Sequence, residues 1–597
     1  MTSRNTPCHC GSGKKFKHCH GLTAPSAGKE QAQPDALYMQ AVRLQLSGQL
    51  AAAVSVYREA IRLSEPGFSA NGADDEAALD VAAALQACET AAGEYPGSSQ
   101  LQQEGMYDCQ AELDLLERSL LAWEAKAPDA FSSPPSARAV KFSDGWYNLG
   151  CAALAHFTGS DRRIQLFHKA LALNPANILA RMNSVFSLNY SPSATVHDIA
   201  KAHRDCGAWL DKSFHRQAPA FNTPHDSNSR LRIGYLSSDF RNHSVAHFIL
   251  PVLEQHDRNC FDVYLYYNHE HVDEITRRAQ GLATQLRFVK PLPDADLRSV
   301  IMADGIDILI DLNGYTRGNR LAVLAMRAAA VQMSWIGYPN TTGLSAVDFR
   351  IVDEVTDPPE YAQALSSEKL LYMPNVFSVY QPGVDLPDVT PPPSLKSGYI
   401  TFGSFNSIAK LNTALLHTWA EILHGVQNSR ILLKNIALGY AVPGKEVLDA
   451  FAQLGIAAGR VELAGVVNSR QSHLGTFARV DISLDSFPYN GTTTTCESLI
   501  MGVPVLSRAG KDHRSRVGAS ILAAVGLESL VKGSESGYIE AAIALAGNAA
   551  QLVSLRADLR QRMLCSPLMD ARTFTRELER KLMQSWEERS GLEGNAR

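Results

Sequence analysis

The 597-residue chain has no apolar run long enough to cross a bilayer, and its first residues are polar and basic where a secretory leader needs an apolar stretch. A soluble, cytoplasmic protein is the expectation. An excess of one charge sign is also missing. With Lys+Arg 56 against Asp+Glu 61, the formal net charge is only -5, so neither nucleic acid nor a membrane surface is an expected partner. Cysteine is sparse: ten residues, scattered apart from three near the start, which excludes a disulfide framework and suits a reducing compartment. What is present is ordinary for globular proteins, 45% hydrophobic and 20% charged residues, in a chain long enough for about four units.

The three early cysteines are not randomly placed. Cys8 and Cys10, followed by a Gly-rich basic turn and then Cys19 and His20, supply soft and borderline ligands suited to tetrahedral zinc. His9 or His18 could take the place of His20. So short a stretch (residues 1–21) buries almost no core, so a metal would supply its folding free energy. The plain alternative is a tail with incidental Cys and His. Leu22–Pro34 is a polar linker.

Residues 35–210 are Ala- and Leu-rich and predict helices. Within Leu44–Pro66, Gly48, Ala53, Tyr57 and Ala60 fall at tetratricopeptide-repeat positions. A second copy has Trp146, Leu149 and Gly150 on its first helix, with Phe167, Ala170 and Pro175 marking its second. A short, degenerate helical-repeat array is expected, with an irregular helical bundle as the alternative.

At Leu231 the periodicity changes. LRIGYLS, FDVYLYY, DILIDL and VQMSWIGY are short β-rich runs separated by helical segments such as Ala246–Gln255 and Arg320–Ala329. A second series follows Gly398 (YITFGSF, SRILLKN, RVELAG, VDISLD, VPVLSR). Strands alternating with helices predict parallel sheets wrapped by helices. The two α/β halves span residues 231–385 and 396–585, joined by the Pro-rich bridge Pro382–Leu395.

Val480–Leu506 is the most informative stretch. It predicts a strand, an Asn490-Gly491 break, a helix starting at Thr492 or Thr493 with Thr oxygens as caps, a Gly502 stop and another strand. Such a strand–loop–helix turn aims backbone N–H groups and the positive helix end at one spot, which favours phosphate. Glu497, one turn on, is placed to accept from a ribose. An ordinary, well-capped βαβ unit is the plainer reading of this stretch taken alone.

Five blocks then fall in order: LRIGYLSSDFRNHSVAHF, DILIDLNGYTRGNR, WIGYPNTTGL, TFGSFNSIAKL and FPYNGTTTTCESLIMGVPV. Together they resemble the protein O-GlcNAc transferase and SPINDLY (protein O-fucosyltransferase) family, the third and fifth looking more like the SPINDLY branch. The N-terminal pattern is similar to the SEC-C zinc motif found at the end of the translocation ATPase. The resemblance implies a GT-B fold of two Rossmann-like halves with the donor nucleotide against the second half, and a helical array that holds the polypeptide acceptor. It also implies residue roles. Lys410 is similar in position to the lysine that contacts the diphosphate; Thr493 and Thr494 match the phosphate-binding threonines, and Glu497 the ribose carboxylate. His473 matches a histidine at the base, and Arg516 a basic residue near the cleft. Thr492 departs from the family, standing where the animal enzyme has His. On the acceptor side His243 matches a histidine facing the sugar, a general-base candidate by its pKa class. Asp239 and Asp304 are its rivals, while Asp307 stands where the animal enzyme has His. Asn313, Gly314 and Tyr315 are expected to shape the cleft.

The expected activity is inverting transfer of N-acetylglucosamine from UDP-GlcNAc to Ser/Thr of proteins, without a catalytic metal, the diphosphate being neutralised by Lys and a helix end. GDP-fucose is the alternative donor, and a non-catalytic adaptor built on the repeats and the zinc motif is the alternative class.

Overall fold

The computed structural model describes residues 117, 120–121, 137–153, 159–214, 230–383, 385–467 and 469–590. The Cys8–His20 cluster, the linker after it and the Leu44–Pro66 repeat lie outside these residues. The chain divides into two compact units, residues 1–149 and 150–597. In the first, the described residues are 117, 120–121 and most of helix α1 (Ala137–Ala152).

The second unit opens with helices α2 (Ser160–Leu173), α3 (Ile178–Leu188) and α4 (Val196–Phe214). Gly150 and Phe167, both placed by repeat-like spacing, are packed together: a Cβ at Gly150 would meet the Phe167 ring at 2.5 Å.

Seven parallel strands follow: β1 (Leu231–Ser237), β2 (Phe261–Tyr267), β3 (Gln285–Phe288), β4 (Ile308–Asp311), β5 (Val331–Ser334), β6 (Phe349–Val352) and β7 (Lys369–Tyr372), in the order β3-β2-β1-β4-β5-β6-β7. The near-continuous apolar runs of the inner strands bury both faces, as a sheet covered by helices on each side requires, while the edge strands β3 and β7 are partly exposed. Ile233, Leu265, Ile310 and Met333 pack on one face, Leu236, Tyr266 and Leu309 on the other. Helix α5 (Ala246–Gln255) covers the first face and α6 (Asp294–Ala303) the second.

The second sheet has six parallel strands, β8 (Thr401–Ser404), β9 (Arg430–Lys434), β10 (Val461–Ala464), β11 (Ile482–Leu484), β12 (Val505–Arg508) and β13 (Val531–Lys532), ordered β10-β9-β8-β11-β12-β13. Both sheets therefore reverse direction of growth after their first strand, between β1 and β4 and between β8 and β11. These reversals leave crevices at the strand C-terminal ends where ligands bind. Around the second lie α7 (Arg470–Gly475), α8 (Thr493–Ile500) and α9 (Val517–Ala524). The last helix, α10 (Ala571–Ser590), returns to the first half and puts Phe574, Leu578, Leu582 and Trp586 into its core, Phe574 stacked on Trp335.

The WIGYPNTTGL block is a clamp between the helices and the first sheet. Fully buried Glu368 accepts from the Thr341 hydroxyl and the Thr342 amide, each at 2.6 Å. Gly343 is left-handed (φ +76), and any Cβ there would sit 1.9 Å from the His203 carbonyl oxygen, so α4 lies backbone against backbone on this loop. Tyr338 receives Asn189 Nδ2 at 2.7 Å and lies 2.6 Å from His203 Nε2.

Candidate active site

The second crevice is formed by the loops leaving β8 and β11. After β11, Asp485 is buried and organises its loop by accepting from the Gly491 amide (2.6 Å), the Ser486 amide (2.8 Å) and the Ser507 hydroxyl (2.6 Å). Burial pushes its pKa up to about 6, against the pull of these bonds and of Lys410. Gly491 is needed for close approach, since a Cβ would meet Thr494 Oγ1 at 2.6 Å. Helix α8 starts at Thr493, as its sequence predicts, and ends at left-handed Gly502 (φ +76).

The cap differs from expectation. Thr492 occupies the N-cap position, but its side chain bonds no helix amide. Thr495 turns back to the Gly491 carbonyl at 3.1 Å, and Thr494 donates to Asn406 Oδ1 at 3.1 Å. Among the described residues nothing bonds the amides of the first turn, and with the helix dipole they suit an anion. Thr493 keeps its hydroxyl without a hydrogen bond among the described residues, and the Thr494 hydroxyl is one rotation from the same seat.

Lys410 reaches this loop from the turn Ile408–Lys410 after β8. Its Nζ donates to the Asn490 carbonyl at 2.6 Å and lies 4.1 Å from the Tyr489 ring centroid. Among the described residues it has no carboxylate ion-pair partner, and burial lowers its pKa to about 8, with Asp485 opposing. A cation held by a carbonyl and a ring, one loop from open helix amides, is poised to pair with an incoming anion.

Glu497, on α8, is buried and accepts from Arg470 Nη1 at 2.9 Å and faces His473 Nε2 at 3.0 Å. Burial pushes its pKa up, but the His473 and Arg470 contacts outweigh this and hold it below the ordinary value. His473 Nδ1 lies 2.7 Å from Lys434 Nζ, at the end of β9, which assigns the ring proton to Nε2. Phe405 and Phe477 flank His473 at 6.0 and 6.1 Å between ring centroids. This is an aromatic, cationic wall fit for a nucleobase, with the carboxylate beside it.

On the first half, His243 follows β1. Its Nδ1 lies 3.6 Å from Asp239 Oδ2, and burial, only partly countered by Asp239, lowers its pKa, so it is neutral near pH 7. Asp239 and Asn313 are joined at 3.1 Å across the first crevice. Gly314 donates its amide to Asp311 at 2.6 Å and Tyr315 its hydroxyl to the Thr342 carbonyl at 2.8 Å, so both brace the crevice wall. His247, one turn after His243, is pushed by burial and Arg470 to a pKa of about 4.

Two expected site residues are placed elsewhere. Asp304 caps the end of α6 at the edge where the strands begin. It pairs with Arg287 (Nε to Oδ2 2.6 Å) and accepts from Tyr266 at 2.7 Å, while its carbonyl holds Arg232. Helices run antiparallel to the strands, so a residue at the C-terminus of α6 sits at the opposite edge from His243. Asp307 shares that edge, bonding the Arg232 amide at 2.8 Å. Arg516 spends Nε on the Val355 carbonyl (2.6 Å) and Nη1 on the Gly510 carbonyl (3.0 Å), joining the two halves beside the His513–Asp357 contact at 2.6 Å.

Arg470, Lys434, His247 and Asn406 are site residues that the sequence reading did not single out. Arg470 had a signal: it stands three residues before His473 on one helix, so both face Glu497. Its Nε also donates to the Pro382 carbonyl at 3.0 Å and its Nη2 to Tyr380 at 3.2 Å, tying the site to the bridge between the halves.

Residues 177–384 and 393–578 match the model of Glycosyl transferase family 41, and residues 4–22 match the SEC-C motif. A probable UDP-N-acetylglucosamine–peptide N-acetylglucosaminyltransferase SPINDLY of Petunia hybrida is 38% identical over 420 residues, 70% of this chain and 45% of the relative. The protein of the same description from Arabidopsis thaliana is 37% identical over 418 residues, 69% of this chain and 46% of that one. The chain spans about half the length of the curated relatives it matches. A mutant of the Thermobaculum terrenum O-GlcNAc transferase superposes with a TM-score of 0.77 at 28% identity, covering 95% of this chain and all of that one.

Proposed function

The chain belongs to glycosyl transferase family 41, and we propose that it transfers one sugar from a nucleotide-sugar donor to Ser/Thr hydroxyls of proteins, with UDP-GlcNAc as the donor. One observation carries this reading: Lys410, without a carboxylate ion-pair partner among the described residues, holds the Asn490 carbonyl in the loop that leads into α8 at the second switch point. There the diphosphate leaving group gains charge as the glycosidic bond breaks, and preorganised donors stabilise it. Glu497 takes the ribose hydroxyls with its remaining lone pairs, held in place by Arg470 and His473. His473, Phe405 and Phe477 receive the base. His243, neutral near pH 7, accepts the acceptor hydroxyl's proton across the crevice, oriented by Asp239. No step calls for a metal, because Lys410 and the helix end supply the positive field.

The names of the relatives support UDP-GlcNAc as the donor. The acceptor polypeptide is held by the helical repeats, the protein works in the cytoplasm, and zinc sits on Cys8, Cys10, Cys19 and His20 as a structural ion. The donor set alone argues for that metal: three thiolates and one imidazole. Incubating the purified chain with a pool of Ser/Thr-rich proteins and either UDP-GlcNAc or GDP-fucose tests the reading by mass spectrometry. N-acetylhexosamine on Ser/Thr is the expected product. Deoxyhexose would reassign the donor, and no modification with either would favour the adaptor reading.

A further inference from the structure

Lys410 is held from a direction that the reaction alone does not explain. The Tyr489 ring under its ammonium itself meets Tyr190 at a tilt, 5.2 Å between centroids and 40° between planes, and Tyr190 comes from the helical segment, just past α3. On the far side the Arg163 guanidinium of α2 lies 5.3 Å from the Tyr190 centroid. Arg163 is 1% exposed, and its Nε and Nη2 have no hydrogen-bond partner among the described residues. A buried guanidinium without a carboxylate is costly, and the ring face is what it meets instead. Asp161, two residues before Arg163, forms no ion pair with it among the described residues and is engaged elsewhere. That carboxylate accepts from Ser191 at 2.5 Å and Ser193 at 3.0 Å, which fixes the turn immediately after Tyr190.

A second line of contacts joins the same two places. Arg514 Nη1 donates to the Leu188 and Asn189 carbonyls, at 2.8 and 2.5 Å, at the end of α3. The Arg514 carbonyl accepts the Asn490 amide at 2.9 Å, and the Asn490 carbonyl accepts Lys410 Nζ. One line is aromatic and one is hydrogen-bonded, and both run from the α2–α3 hairpin to a single ammonium.

We infer that Tyr190 is a positioning residue for Lys410: through Tyr489 it lets the acceptor-side helical segment set where the diphosphate-facing ammonium stands and how firmly it keeps its charge. The inference rests on the reading of Lys410 given above. Lys410 is already pulled toward deprotonation by burial, so a ring face that attracts the cation matters near neutral pH. A shift of the helical hairpin, such as an engaged polypeptide could bring, would reach the donor site through these rings.

The test is the pH profile of kcat/KM for sugar transfer, measured on the full chain. Tyr190→Leu should move the alkaline limb to lower pH by about half a unit or more and lower kcat, whereas Tyr190→Phe, which keeps the ring, should restore the wild-type limb. A purely structural role for Tyr190 would change the melting temperature and leave the limb in place. Should Tyr190→Leu not fold, Tyr489→Leu must show the same shift. A wild-type limb in either folded variant, with Lys410→Ala inactive, overturns the inference and leaves the functional reading standing. Full activity in Lys410→Ala overturns that reading, and the inference with it.

Discussion

Arg470 and Glu497 meet at 2.9 Å, Nη1 on Oε1, while the same guanidinium donates to the Pro382 carbonyl in the bridge between the two halves. The carboxylate proposed to hold the ribose is thus positioned by a residue that also senses the bridge. Arg470→Gln removes the charge and both reaches. Charge-assisted bonds of this kind are worth about 1.5–3 kcal/mol, so the donor KM should rise roughly tenfold or more, with a smaller fall in kcat. An unchanged donor KM would show that Glu497 needs no such support.

Lys410→Ala should fold normally and lose about two to three orders of magnitude in transfer rate, the scale for removing one preorganised group from a developing anion. In the wild-type enzyme the charged form is required. With a pKa lowered to about 8 by burial, that form dominates below this pH and is lost above it. Activity should therefore fall through the range around pH 8, well below the usual lysine value. A rate that stays level to pH 10 would mean that the ammonium is not needed.

His243 and Asp304 separate by kinetics. His243→Ala should lower kcat by about two orders of magnitude or more, as removal of a general base does. Asp304→Asn should leave kcat close to wild type and lower the melting temperature slightly, because it weakens a pair with the partly exposed Arg287 worth about 1 kcal/mol. The reverse pattern would return the role of base to Asp304.

How far the sequence could lead is visible in these two residues. His243 follows the run LRIGYLS while Asp304 precedes DILIDL, so their order along the chain already holds the answer, but a match to motifs alone does not use it. The direction of the parallel sheet decides it: loops after strands open on the crevice, loops before them do not. The strand–Gly–helix turn, by contrast, was legible nearly to the residue, since Asn490-Gly491, the threonines and Gly502 act locally. The pattern of Arg320–Ala329 predicts a helical segment. Its helix covers only Leu321–Ala325, because Arg327 is left-handed (φ 51) and the Ala328 amide bonds the Gln332 side chain instead. Arg516 reads as a cleft residue from its place at a helix start, but its partner carbonyl at Val355 lies 161 positions away and no local pattern announces it.

The N-terminal cysteines give a prediction independent of the transferase site. Purified protein should carry about one zinc per chain, and Cys8→Ser/Cys10→Ser should lose it while transfer continues. Zinc retained in that variant would remove these residues as ligands. Transfer lost along with the metal would give the module a part in the reaction.

The central claim is that the open end of α8 and Lys410 seat the diphosphate. Calorimetric titration of UDP and of uridine into the wild-type protein and Thr493→Val/Thr494→Val tests it most directly. In the proposed complex the two hydroxyls serve the phosphate and not the base, Thr494 turning from Asn406 to do so, so UDP affinity should fall by roughly tenfold or more while uridine affinity and the melting temperature stay as they are. UDP bound equally well by both proteins would contradict the claim and move the phosphate away from this helix.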